Sequence, residues 1–103
     1  MMHYLLSYEI AADYFNRREV YRREHLQLAW AAADRGELVL GGVVGEPGES
    51  SLLLFWGDSP EVAIRFAEAD PYVQHGLVAG WTVKPWLTVA GANCAKPIRY
   101  ANE

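Results

Sequence analysis

The sequence predicts an α+β domain with the element order β-α-β-β-α-β. Three observations carry this reading. Two stretches place apolar residues at spacings of three and four, as helices with one buried face do. Four short runs rich in leucine, valine and aromatic residues stand before, between and after them, as strands do. Capping and stopping residues fall at the joins between these segments. A chain of 103 residues has room for one ordinary domain.

The elements follow in order. Residues 3–9, rich in Tyr and Leu, fit a first strand. From Tyr14 to Asp34, residues Tyr21, His25, Leu28, Ala29 and Ala32 share one helical stripe, and Gly36 stands where a helix stops. Residues 38–44 form the second strand, where Gly41-Gly42 marks a bulge or a close backbone approach. Glu46-Pro47-Gly48-Glu49 is a turn. Residues 51–56 form the third strand. Ser59-Pro60-Glu61 then opens a second helix with a capping hydroxyl, a proline and an acid in the first turn. That helix runs to Ala69. Residues 71–74 add a short turn closed by Gly76, and Trp81 to Val89 make the fourth strand, with Pro85 on an edge or at a bulge.

This order is the ferredoxin-like plan, helices on one face of an antiparallel sheet. Strands two and three are apolar at consecutive positions, Leu38 to Leu40 and Leu52 to Trp56, which predicts burial on both faces. A second copy of the sheet is the simplest cover, so a homodimer is expected. Residues 1–89 make the domain and residues 90–103 a tail without a clear period.

The formal charge of −4 and pI near 5.3 argue against nucleic acid or an anionic membrane as partner. No apolar run reaches membrane-spanning length. Cys94 alone forms no intrachain disulfide, and no Cys/His spacing suggests zinc. The opening Met1-Met2-His3-Tyr4-Leu5-Leu6 lacks the basic region and long apolar core of a signal peptide, so the cytoplasm is the expected compartment.

The run Asp70-Pro71-Tyr72-Val73 carries the first candidate site residue. Proline disfavours helix for the residue before it, so Asp70 sits at a break where its carboxylate can point into a cavity. It can equally serve as a helix cap, and one carboxylate can do both. His25, on the inward stripe of the first helix, supplies an imidazole for acid–base chemistry, or packs as a buried histidine with one backbone hydrogen bond. Arg18 and Arg22 precede it on the same helical face. Like charges at that spacing repel, which suggests an anion between them: a substrate carboxylate or phenolate, an acidic side chain, or solvent. Arg23 is expected to pair with Glu19, and Arg17 to lie at the surface. A metal site of His25, Asp70 and His75 matches no recognised ligand spacing.

Arg18, Arg22, His25-Leu26, Gly36, Leu38, Gly42, Asp70-Pro71-Tyr72-Val73, Gly76 and Val83-Lys84-Pro85-Trp86 together resemble the YciI-like (YCII-related) family over residues 3–89. One departure is Val43, where many relatives have proline after the strand-two glycine. The resemblance implies a dimeric α+β-barrel whose catalytic dyad is His25 and Asp70. Arg22, Arg18 and Tyr72 are then expected to bind substrate. A described activity in the family is removal of chloride from a chlorinated hydroxyhydroquinone. The expected function is a small-molecule enzyme without a cofactor, a lyase or isomerase acting on an anionic or phenolic substrate. The alternative is a metabolite-binding or accessory module with no chemistry.

Overall fold

Alternation along the first strand decides where the core lies. Strand β1 (Met2–Ile10) buries Tyr4, Leu6 and Tyr8, every second residue, and β3 (Ser50–Gly57) buries Ser51, Leu53, Phe55 and Gly57 in the same rhythm. The two pair antiparallel with Tyr4 opposite Phe55, Leu6 opposite Leu53 and Tyr8 opposite Ser51. On the other side of β1 runs β4 (Val78–Trp86), also antiparallel, and β2 (Leu38–Val44) flanks β3. The sheet order is β2-β3-β1-β4, so β1 and β3 are central and β2 and β4 are edges. This is a computed structural model, and it describes residues 1–101.

Three helices complete the element order. Helix α1 (Tyr14–Asp34) connects β1 to β2. Helix α2 (Glu61–Ala69) and the single-turn α3 (Pro71–Gln74) connect β3 to β4. Ala29 and Ala32 of α1 and Ala63, Phe66 and Ala67 of α2 pack with Tyr4, Leu6, Tyr8 and Phe55 in one apolar cluster. Alanines at these contacts let the helix backbones lie close to the sheet. The ferredoxin-like α+β architecture expected from the sequence is therefore the one observed.

Helix ends follow local chemistry. Gly36, at φ +81°, turns the chain out of α1 while Gly36 and Glu37 N–H donate to the carbonyls of Ala33 and Ala32 at 2.9 Å each. Gly76, at φ +77°, does the same after α3, with Leu77 N–H donating to Tyr72 at 2.9 Å. The hydroxyl of Ser59 accepts from Glu61 N–H at 3.3 Å.

Two details differ from the sequence expectation, and one alternative is decided. The fourth strand begins and ends three residues earlier, at Val78 and Trp86. Beyond it the chain turns back on itself, with Lys96 and Ile98 N–H donating to the carbonyls of Thr88 and Val89. Thr88 also bonds buried His3 at 2.7 Å, tying this segment to β1. Of the two readings of Gly41-Gly42 the close approach holds, since a Cβ on Gly41 would lie 3.3 Å from Leu53 Cγ, while the register shift of β2 falls between Leu38 and Leu40. Finally, β2 and β3 are not buried on both faces. In β3 only alternate residues are buried, and Val39 to Val44 of β2 are exposed, because helices cover one face of the sheet and, among the described residues, the other face is covered only near His3, where the segment after β4 meets it. No helix among the described residues is long and apolar enough to cross a membrane.

Candidate functional site

Asp70 is fully buried, and three donors surround it. It stands between α2 and α3 with extended backbone (φ −73°, ψ 122°), the conformation its following proline enforces. Its Oδ1 accepts the N–H of Tyr72 at 3.0 Å and caps α3. Its Oδ2 accepts the hydroxyl of Tyr8 at 2.7 Å. Nδ1 of His25 lies 2.9 Å from Oδ1 and 3.0 Å from Oδ2. Asp70 thus caps a helix and engages the imidazole at once.

This arrangement sets the tautomer of His25. A carboxylate has lone pairs and no proton to give, so Nδ1 must be the donor. A neutral imidazole with its proton on Nδ1 carries its lone pair on Nε2. Among the described residues Nε2 has no hydrogen-bond partner, and His25 lines an open cleft of about 490 Å³. The ring lies flat on Tyr72, centroids 4.0 Å apart and planes 10° apart, and meets Phe66 edge-on at 6.4 Å. Two aromatic contacts and one carboxylate hold the imidazole in a single orientation.

The cleft runs between α1 and β2. Tyr14, Arg18, Arg22, His25 and Tyr72 line it toward one end, and Leu26, Trp30, Leu38 and Leu40 toward the other. The two arginines differ. Arg22 is exposed and pairs with Glu19 at 3.4 Å, the partner expected for Arg23, which sits one residue further around the helix. Arg18 is half-buried, its guanidinium over Phe15 and Tyr14 at 5.1 and 5.9 Å from their ring centres. Its Nε is buried and among the described residues has no hydrogen-bond partner. Arg17 is half-buried, bonded to Asp13 and to the carbonyl of His75.

Three tyrosines around the dyad stay firmly protonated. Burial pushes the Tyr8 phenol well up, with the neighbouring Asp70 charge adding to it. Burial also raises Tyr14, against a partial pull downward from Arg18. Tyr72 is pushed up to about 12, again by burial first.

Of the residues singled out in the sequence, His25, Arg18, Arg22 and Tyr72 line this cleft, whereas Asp70 stands behind His25, fully buried, its carboxylate turned to Tyr8, His25 and Tyr72 and not into the cavity as the sequence suggested. Tyr72 is 2% exposed, so its ring forms the floor beneath His25 more than a free contact surface. His75 lies apart, its ring stacked on Tyr21 at 4.3 Å, and no cluster of three metal-ligating side chains forms among the described residues. Tyr8 and Tyr14 were not foreseen. The only sequence sign of Tyr8 was its place on the inward rhythm of β1.

No family model matches the chain, and no curated protein matches it in sequence. Among solved structures it is similar to 5-chloro-2-hydroxyhydroquinone dehydrochlorinase from Burkholderia phenoliruptrix AC1100, solved with 2,5-dihydroxybenzoquinone. The TM-score is 0.70 at 20% identity, over 84% of this chain and 95% of that one. It is also similar to an uncharacterized NIPSNAP domain protein from Burkholderia xenovorans (TM-score 0.53, 17% identity, 93% and 100% covered). A NIPSNAP family protein from Agrobacterium tumefaciens C58 matches with TM-score 0.56 at 15% identity, over 95% and 98%. At these identities the likeness is one of fold, the ferredoxin-like plan.

Proposed function

We propose that this chain is a YciI-like enzyme that moves a proton on a small anionic or phenolic molecule without a cofactor, His25 acting as general base and acid. Asp70 orients the imidazole and stabilises its protonated form. Nε2 takes a proton from the substrate. The freed electron pair then expels a leaving group such as chloride, or the proton returns at a neighbouring carbon. The first outcome is elimination, the second isomerisation. The observation that carries the reading is the Nδ1–Asp70 bond, which leaves Nε2 as a lone pair at the wall of an open cleft. The structural likeness to a dehydrochlorinase agrees with it.

The test uses that neighbour's compounds. Chloride release from 5-chloro-2-hydroxyhydroquinone and solvent-deuterium uptake by 2,5-dihydroxybenzoquinone are followed by ion electrode and NMR. The native protein should accelerate at least one, and His25→Ala should lose roughly 100-fold or more of that rate. Equal rates in native and variant would end the proposal. Tight binding of the quinone with no turnover in any variant would favour the accessory-module reading.

The same proposal includes a cytoplasmic homodimer. Leu5 and Leu54, paired across β1 and β3, are half-buried on the sheet face that no helix covers. A second copy laid on that face would remove them from water. Sedimentation velocity should give a dimer for the native chain and a monomer for Leu54→Lys; a native monomer at tens of micromolar would overturn it.

A further inference from the structure

The cleft is divided along its length, and the division describes a ligand. Helix α1 supplies one whole wall. Arg18 and Arg22 stand toward its first half, Leu26 and Trp30 toward its second, and His25 lies between. At 1.5 Å per residue, Arg18 and Trp30 are about 18 Å apart along the helix axis. Opposite, β2 presents Leu38, Val39, Leu40 and Val43. Trp30 and Leu40 are 67% and 72% exposed, two large apolar side chains that face each other across the mouth of one cavity.

At the polar end the two arginines are not equivalent. Arg22 has Glu19 for its charge. Arg18 is held by Phe15 and Tyr14, and its buried Nε donor has no acceptor among the described residues. A buried donor left unmade costs free energy, and an arriving oxygen would recover it. A guanidinium already fixed against two rings loses little freedom when it binds.

We infer that the cleft takes an amphipathic acid: one acidic oxygen, carboxylate or ionised phenol, held by Arg18, and an extended apolar body lying past His25 toward Trp30 and Leu40. This rests on the proposed function for its reaction but not for its binding. The ligand's middle, next to its acidic end, is the part that faces Nε2. A volume of about 490 Å³ suits a body of medium length and lies in the ordinary range for small-molecule sites.

Calorimetry on the full chain with octanoate, acetate, 1-octanol and 4-nitrophenolate tests this. Each methylene buried is worth about 0.8 kcal/mol, or roughly fourfold in affinity. With its six extra carbons only partly covered, octanoate should bind at least about 100-fold tighter than acetate. Octanol, lacking the acidic oxygen, should bind at least tenfold weaker than octanoate. Whichever of octanoate and 4-nitrophenolate binds tighter names the source of the acid. Arg18→Gln should weaken octanoate tenfold to a hundredfold, and Arg22→Gln less than threefold. Trp30→Ala should weaken octanoate about tenfold and leave acetate unchanged. His25→Ala should still bind octanoate, which separates a failure of the catalytic reading from a failure of this one. The inference is overturned if octanoate binds no better than acetate, if octanol equals octanoate, or if Arg22→Gln matches Arg18→Gln. Should Arg18→Gln fold poorly, the octanol comparison and Trp30→Ala decide alone.

Discussion

Replacing Asp70 by asparagine changes one atom and should reverse the imidazole beside it. The carboxylate receives three donors, from Tyr8, His25 and Tyr72, at 2.7 to 3.0 Å. Asparagine offers one acceptor oxygen and an NH₂. The oxygen keeps the N–H of Tyr72. The NH₂ then faces Tyr8 and His25. The tyrosine hydroxyl can rotate and accept. Nδ1 of His25 is as close to the NH₂ position as to the oxygen already taken by Tyr72, so an Nδ1–H would face an N–H at about hydrogen-bond distance, and that donor–donor clash favours a lone pair at Nδ1 and the proton on Nε2. The nitrogen at the cleft then has nothing to accept a proton with. Exchanging charge-assisted bonds for neutral ones costs about 1 kcal/mol each, so about 2–4 kcal/mol in total, and lowers Tm by roughly 10–30 °C. A domain of ordinary stability survives that loss. Long-range ¹H–¹⁵N spectra of the imidazole report the tautomer directly. The native protein should show the Nδ1–H form, the variant the Nε2–H form, and proton-transfer activity should fall by about 10² to 10⁴. A native spectrum with the proton on Nε2, or an unchanged tautomer in the variant, refutes the reasoning.

Three further outcomes follow from the same structure. Tyr8, Tyr14 and Tyr72 are all raised above the ordinary phenol value, so the folded chain holds these protons after the unfolded chain has released them. Their contribution is complete below pH 10 and is lost above it, at up to about 1.4 kcal/mol per pH unit for each tyrosine, with Tyr72 levelling off near 12; urea midpoints that stay flat from pH 9 to 11.5 would contradict this. Leu6 is completely buried between Leu53 and Val83, and Leu6→Ala should cost about 2–5 kcal/mol with an unchanged denaturant slope. A Cβ on Gly57 would lie 2.8 Å from Cγ1 of branched Val62 and push α2 away from the end of β3, so Gly57→Ala should cost about 1–3 kcal/mol in the same titration.

How much of this was legible depended on whether the signal was local. Helix α1 and strand β2 were readable to the residue because Gly36 and the apolar runs mark their ends. The meeting of His25 with Asp70, 45 residues later, came from resemblance and not from spacing. Tyr8 escaped because its partner lies 62 residues away and its strand neighbours say only that it points inward. The ion pair of Glu19 went to Arg22 and not Arg23 because residues three and four along a helix are both within reach, and only the side-chain rotamer decides. The double-faced burial expected of β2 failed for a related reason: leucine and valine record that a face is apolar, not what covers it.

Strand β1, which grips the buried carboxylate through Tyr8, sits mid-sheet with a hydrogen-bonded neighbour on each flank, whereas the opposite wall of the cavity belongs to β2, which has a neighbour on one side only. In the proposed function, the proton-handling pair and the surface that selects its substrate therefore rest on supports of unequal stiffness. On that reading, changes at Val39, Leu40 or Val43 would retune which molecules enter while the pair keeps its alignment, so descendants of this scaffold would be free to diverge in diet without relearning their chemistry.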